Sequence, residues 1–318
     1  MNSRITGLIA APFTALHADG SLNLSLVERQ AQSLVENGVN GAFICGTTGE
    51  GLSLSAAERL QVAERWMQVA PPQFHVIIHV GHQSVAESCA LAAHAEKIKA
   101  RAFATLGPTF FPVSTVEQLV EYCAWIATAA PSLPFYFYHI PALTGVDLPM
   151  HEFLRLGSRR ISNLAGIKFT HENLMDFSRC LEFEEGRFNI LFGRDEILLC
   201  ALALGATGAV GSTYNYMAAV YQQLIEAFQA GDLKSARRLQ SQAIRIIALM
   251  SQRGGLPAGK AMMKMIGLDC GPVRPPLTSL SAETLDRFRR ELQEAGFPSS
   301  ALKRSHSSAP HMEMAEPR

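Results

Sequence analysis

The sequence predicts an α/β fold, a (β/α)8 barrel with a C-terminal helical extension. Eight short apolar runs recur between residues 5 and 212, and amphipathic helical stretches separate them. The runs are apolar throughout, which is typical of a parallel sheet whose outer face is covered by helices. With 318 residues, the chain is long enough to form such a barrel in one unit.

The predicted strands follow one another at spacings that leave room for a helix between each pair. In chain order they are residues 5–11, 41–46, 74–81, 102–107, 134–140, 164–169, 188–193 and 207–212. Ser-x-x-Glu capping boxes predict the start of three helices, at Ser55 with Glu58, Ser84 with Glu87, and Ser114 with Glu117. A doubly wound sheet would carry a glycine-rich phosphate turn after its first strand, where this chain has Ala-Pro-Phe-Thr.

The domain organisation follows from where the βα pattern stops. We expect residues 1–230 to form the barrel and residues 231–298 to form helices that extend the same domain. Residues 299–318 are polar and have no periodicity, so we predict a disordered tail.

The composition excludes several classes of function. With 28 Lys and Arg against 28 Asp and Glu, the chain has no charge excess for nucleic acid or an anionic membrane. The six cysteines form no CxxC pair, the N-terminus does not have the pattern of a signal peptide, and no apolar stretch is long enough to span a bilayer. We therefore expect a cytoplasmic protein with a small-molecule substrate and without nucleic-acid or membrane partners.

In a barrel of this class, reactive groups lie where strands end and loops begin. The turn Gly46–Gly51 contains Thr47 and Thr48, and its backbone amides can converge on a carboxylate, although an ordinary glycine-rich loop has the same composition. Near the end of strand five, we expect Tyr136 to pack and Tyr138 to transfer protons.

Lys168 ends the apolar sixth strand, where it either reaches solvent or lies desolvated as a nucleophile with a lowered pKa. Asp195 and Glu196 follow strand seven, either as first-turn helix residues or as acceptors for sugar hydroxyls. A phosphate-binding loop at Gly205, Gly208 and Gly211 stays an alternative, because barrels form such loops after strands seven and eight. No basic residue follows to support it.

The sequence gives no indication of a metal or another cofactor. The ten histidines form no HExxH motif, and the pair His79 and His82 has no adjacent carboxylate, so we interpret it as structural. Cys45 has no histidine near it in the sequence and is expected to be a buried, unreactive thiol.

Three motifs together resemble the N-acetylneuraminate lyase branch of the dihydrodipicolinate synthase superfamily: Gly46-Thr47-Thr48-Gly49-Glu50, residues 138–145 (YHIPALTG) and Gly166-Ile167-Lys168-Phe169. The resemblance extends over residues 5–297. It implies that Lys168 forms a Schiff base, that Tyr138 moves protons, and that Thr47 and Thr48 bind the carboxylate of pyruvate. The implied reaction cleaves N-acetylneuraminate to N-acetylmannosamine and pyruvate without a cofactor.

The same resemblance implies further assignments. The polyol end of the substrate is expected at Gly193, Asp195, Glu196 and Ser212, with Thr170 pointing into the same site. Related synthases that use aspartate semialdehyde carry an arginine at the position of Leu143. Relatives are commonly tetramers with an interface tyrosine where this chain has Phe110 and Phe111, and a homotetramer is implied.

Two alternatives stay open at this point. The chain could be a related pyruvate aldolase or synthase that acts on another sugar acid or aldehyde. It could also be a non-catalytic barrel that senses a keto acid, although the presence of Lys168 favours an enzyme.

Overall fold

A computed structural model describes residues 4–297 and contains a closed barrel of eight parallel strands, which confirms the predicted fold class. Each strand pairs with the next along the chain, and β8 closes the barrel against β1. The strands are β1 (Gly7–Ala10), β2 (Gly41–Ile44), β3 (His75–His79), β4 (Ala102–Leu106), β5 (Phe135–His139), β6 (Leu164–Phe169), β7 (Asn189–Phe192) and β8 (Gly208–Gly211). Every one lies within a predicted apolar run.

Helices connect the strands and continue beyond the last one. They are α1 (Leu26–Glu36), α2 (Ala56–Val69), α3 (Val85–Lys97), α4 (Val116–Ala127), α5 (Pro141–Thr144), α6 (Met150–Arg160), α7 (Leu174–Gly186), α8 (Leu198–Ala203), α9 (Tyr214–Gln229), α10 (Leu233–Ser251), α11 (Leu256–Met265) and α12 (Ala282–Glu294). Within residues 4–297, no helix combines the length and apolar character needed to cross a membrane. The predicted tail, residues 299–318, lies outside the described residues.

Side-chain alternation along the strands produces two apolar layers. In β5, Phe135 and Phe137 pack in the large layer between the strands and the surrounding helices, whereas Tyr136 and Tyr138 pack in the layer inside the barrel. The hydroxyl of Tyr136 donates to Oδ1 of Asn189 at 2.9 Å, so Tyr136 is the packing residue that the sequence predicts.

The predicted helix starts are correct at two positions and wrong at the third. Ser55 and Glu58 form a reciprocal capping box on α2, and the hydroxyl of Ser84 accepts from the amide of Glu87 on α3. At α4 the N-cap is Thr115, one residue after the predicted Ser114, and its hydroxyl accepts from the amide of Gln118. Two capping patterns overlap here, Ser114 with Glu117 and Thr115 with Gln118. The sequence therefore fits a helix start after either residue.

A buried ion pair joins α11 to the turn after β2. Nζ of Lys260 lies 2.7 Å from Oε1 of Glu50, and both side chains are at most 4% exposed. The same ammonium donates to the carbonyl of Pro272, while the other oxygen of Glu50 accepts from the amide of Arg274. Glu50 has a left-handed backbone with φ of 53°, so this pair holds the turn in a conformation that glutamate rarely adopts.

We expect Lys260→Met to lower the free energy of unfolding by about 3–5 kcal/mol, because it leaves the Glu50 carboxylate buried without its counter-charge. Urea denaturation measures the change. The matched control is Lys264→Met on the same helix, where the ion pair with Asp269 is about half exposed and its loss costs about 1 kcal/mol or less. Equal effects of the two variants would contradict the role given to Lys260.

Candidate active site

The amine of Lys168 lies inside the barrel, near the carboxyl end of β6. In the sheet register Lys168 is the partner of Tyr138 on β5 and of Leu191 on β7. The residue is 4% exposed, and Nζ lies 3.8 Å from the ring centroid of Tyr138 and 4.0 Å from that of Phe43. The structure thus places a primary amine between aromatic rings rather than in solvent.

Burial lowers the pKa of Lys168 to about 7, while the charge of Asp195 opposes that shift. An exposed lysine amine is almost fully protonated at neutral pH and therefore unreactive. A large fraction of the Lys168 amine is neutral at pH 7, as a nucleophile requires.

Tyr138 links Lys168 to the turn after β2. The Tyr138 hydroxyl and Oγ1 of Thr47 are 3.2 Å apart and share a hydrogen bond. Burial raises the pKa of Tyr138 to about 12, and the hydrogen bond from Thr47 opposes the rise. The phenol is therefore protonated at neutral pH.

The turn that carries Thr47 has a tightly constrained backbone. A Cβ on Gly51 would lie only 1.8 Å from the carbonyl oxygen of Cys45, so only glycine fits there. The hydroxyl of Thr14 donates to the carbonyl of Gly49 at 2.6 Å. These contacts fix the turn so that Thr47 and Thr48 face the same cavity as Lys168.

Asp195 is buried on the opposite side of the cavity, after β7. Its Oδ2 accepts from the amide and the hydroxyl of Thr213, at 3.0 and 2.5 Å. Among the described residues, Oδ1 has no hydrogen-bond partner. Burial raises the pKa of Asp195 to about 6, although the bonds from Thr213 oppose the rise. The unpartnered oxygen can accept a hydrogen bond from a ligand.

All nine predicted site residues line one cavity of about 270 Å³: Thr47, Thr48, Tyr138, Lys168, Thr170, Gly193, Asp195, Glu196 and Ser212. The side chain of Thr170 also interacts with the Tyr138 hydroxyl, and this interaction, like that of Thr47, opposes the rise in the pKa of Tyr138. The cavity therefore brings a buried amine together with several oxygen acceptors and donors.

Leu143 lies outside the cavity, whereas Gly211 at the end of β8 lines it. Leu143, on α5, is 60% exposed and does not line the cavity. Gly205 precedes β8, while Gly211 ends it and packs against the carboxylate of Asp195. Because these glycines lie at opposite ends of a strand, Gly205, Gly208 and Gly211 cannot surround one phosphate, and the cradle interpretation is wrong.

His79 and Cys45 have structural contacts. Nδ1 of His79 lies 3.0 Å from the carbonyl oxygen of Cys45, and burial holds the pKa of His79 well below its usual value. Burial also raises the pKa of the Cys45 thiol to about 11, which leaves it unreactive at neutral pH.

Sequence reasoning missed the contribution of the extension helices. Ile247, Met250 and Ser251 of α10 line the cavity, and Nε2 of Gln240 on the same helix donates to the backbone carbonyl of Asp195 at 3.0 Å. The signal available was a glutamine on the apolar face of an amphipathic helix, beside Leu239. A buried amide of this kind needs a polar partner, but the sequence does not identify it.

Comparisons with known proteins agree on one family. The model of the dihydrodipicolinate synthetase family matches residues 4–295. The chain is 41% identical to mouse N-acetylneuraminate lyase over 93% of this chain and 94% of the mouse protein, and 42% identical to the human lyase over 92% and 93%. Its structure resembles Proteus mirabilis N-acetylneuraminate lyase with a TM-score of 0.91 and 42% identity, covering 93% of this chain and all of that one.

We expect Asp195→Asn to lower the pKa of Lys168 below about 7, because it removes the negative charge that favours the ammonium form. The pH dependence of acylation of Lys168 by an amine-directed reagent, followed by peptide mass mapping, measures the midpoint. Glu196→Gln is the matched control, since Glu196 also lines the cavity but does not shift this pKa directly. A midpoint that falls equally in both variants would contradict the coupling to Asp195.

Proposed function

The chain belongs to the dihydrodipicolinate synthetase family, and we propose that it is a class I aldolase that cleaves N-acetylneuraminate to N-acetylmannosamine and pyruvate. The observation that carries the proposal is the buried amine of Lys168, whose pKa is about 7 and which lies against the ring of Tyr138. The chain covers more than nine-tenths of relatives that are named N-acetylneuraminate lyase and are about 41% identical.

The reaction begins at the ketone of the open-chain substrate. Neutral Nζ of Lys168 attacks C2. The carbinolamine hydroxyl then takes the phenol proton of Tyr138 and leaves as water, which gives a protonated imine and the Tyr138 phenolate. The imine draws electrons from the adjacent carbon–carbon bond. This step needs a neutral amine in a site from which bulk water is largely excluded, and the burial of Lys168 provides both.

The positive imine then changes the acidity of Tyr138. A cation beside the Tyr138 ring favours the phenolate, which the hydrogen bond from Thr47 also stabilises. The phenolate accepts the proton of the C4 hydroxyl as the C3–C4 bond breaks, and the bonding electrons pass into the imine to form an enamine. N-acetylmannosamine leaves, and C3 takes up the proton that Tyr138 received from the C4 hydroxyl. Water then hydrolyses the protonated imine to pyruvate and free Lys168, and the proton released returns to Tyr138.

The two ends of the cavity hold different parts of the substrate. Thr47, Thr48 and their turn bind the C1 carboxylate, next to the carbon that Lys168 attacks. Thr170, Gly193, Asp195, Glu196 and Ser212 bind the hydroxyl groups of the sugar tail. Two acidic side chains accept from hydroxyls and repel a second carboxylate, so they favour a polyol over a dicarboxylic product.

The assembly and location belong to the same proposal. Phe110 and Phe111 are 75% and 80% exposed and pack edge to face, which suits an interface in a homotetramer. The six cysteines, all within the described residues, are free thiols, which suits the reducing cytoplasm.

Borohydride reduction of the protein with pyruvate should add a three-carbon unit to Lys168, because reduction converts the imine to a stable secondary amine. Peptide mass mapping locates the addition, and Lys168→Met should abolish it. Tyr138→Phe is the matched control: it should still be labelled, while turnover falls by about 10² to 10⁴.

Two results would overturn these assignments. A label on another lysine, or none, would remove Lys168 from the chemistry. Turnover close to that of the unsubstituted protein in Tyr138→Phe would remove Tyr138 from the proton path.

Glu196→Ala should lower kcat/KM for N-acetylneuraminate cleavage by about 10- to 100-fold, the usual cost of losing hydrogen bonds to a charged group. Imine formation with pyruvate should be unchanged, since pyruvate occupies the other end of the cavity. Glu182→Ala, an exposed position on α7 outside the cavity, is the control and should leave both measurements unchanged.

The same assay tests the substrate class. The unsubstituted protein should not condense pyruvate with aspartate semialdehyde at a comparable rate. Efficient condensation without cleavage of N-acetylneuraminate would contradict the proposed specificity.

A further inference from the structure

Three potential metal ligands meet outside the cavity that contains Lys168. His139 ends β5, Asp147 lies between α5 and α6, and His171 follows β6. One ligand atom from each, two imidazole nitrogens and a carboxylate oxygen, lie within 4.8 Å of one another. None of the three side chains lines the cavity around Lys168.

Strand alternation separates this cluster from the active site. Tyr138 faces the barrel interior, so the next residue, His139, faces the layer of surrounding helices. The ring of His139 lies against Phe169 and Phe137, with centroids 5.1 and 6.4 Å away. These rings hold the His139 imidazole in one orientation.

A second observation points to a ligand. His139 is 1% exposed, and within residues 4–297 its Nδ1 has no hydrogen-bond partner. A buried polar atom without a partner is costly and calls for an explanation.

A second carboxylate near the cluster, that of Asp176, already has hydrogen-bond partners. Asp176 accepts from the amide of Met150 at 2.7 Å, and its Oδ1 lies 2.6 Å from Nδ1 of His151. Asp147 is exposed and its carboxylate belongs to the cluster. Asp147 is therefore the acidic ligand, and Asp176 contributes a more distant negative charge that favours a cation.

We propose that His139, Asp147 and His171 form a binding site for a divalent first-row transition ion such as Zn²⁺. Imidazole nitrogens select such ions over Mg²⁺ and Ca²⁺, which prefer oxygen ligands. Three protein ligands leave the fourth tetrahedral position to water on the exposed side of the cluster.

The geometry allows the ligands to close around an ion. Ligand atoms about 2.0–2.2 Å from Zn²⁺ in tetrahedral geometry lie roughly 3.3–3.6 Å apart, closer than the present 4.8 Å limit. The Asp147 side chain is exposed and His171 is half buried, so both can move while His139 stays fixed. The perpendicular rings of His139 and His171, 5.4 Å between centroids, approach from different directions.

Such an ion would connect the ends of two strands that carry the catalytic groups. The amide of Thr170 already donates to the carbonyl of His139 at 2.8 Å. A metal held by His139 and His171 would add a second link, from His139 to the residue after Thr170. Its effect would be to order these strand ends, since the ion does not face the substrate.

Calorimetric titration of the full chain, stripped with a chelator, tests the site with ZnCl₂ as the probe. We expect one strong site per chain, and no comparable heat with MgCl₂. Asp147→Asn and His171→Asn replace side chains that are not deeply buried, and each should weaken Zn²⁺ binding by at least about tenfold. Substitution by Co²⁺ should give the intense visible absorption of a tetrahedral site, and His171→Asn should remove it.

His94→Asn is the matched control, because His94 also lies beside a carboxylate, with Nε2 2.9 Å from Oε1 of Glu64 on the protein surface. It should leave Zn²⁺ affinity unchanged. Circular dichroism of each variant checks that it has folded. Zn²⁺ binding that is absent, or that is equally strong in folded Asp147→Asn and His171→Asn, would overturn the proposal and assign any bound metal to other residues.

Discussion

The structure depends on one constraint, the removal of the Lys168 amine from water. Aromatic rings of Phe43 and Tyr138 surround that amine, and the resulting desolvation brings its pKa to about 7. Desolvation alone would lower the pKa further, and the charge of Asp195 limits the change. The reactivity of the lysine is therefore a balance between apolar burial and one carboxylate.

That carboxylate is itself positioned by parts of the chain far from β6. Thr213, just after β8, holds one oxygen of Asp195, and Gln240 on α10 binds its backbone carbonyl. On the other side of the cavity, Lys260 on α11 holds Glu50 and with it the turn of Thr47. The helical extension is thus part of the active site, because it fixes both walls that face Lys168.

The sequence predicts the barrel well because buried parallel strands leave continuous apolar runs and strand ends carry the polar residues. It also identifies nine of the residues that line the cavity, since these lie at or just after the ends of strands. It cannot show which of two adjacent caps begins α4, because Ser114 and Thr115 both fit the pattern. Contacts between distant segments leave no local pattern, so Gln240 with Asp195, or His139 with His171, become visible only in the fold.

The ion pair between Glu50 and Lys260 joins residues made early and late during synthesis. A ribosome completes all eight strands before it adds Lys260, and synthesis proceeds at roughly 5–20 residues per second. Until Lys260 is added, the Glu50 carboxylate lacks the ammonium that pairs with it in the folded protein. The turn that carries Thr47 therefore gains its buried ion pair only after all eight strands have been made.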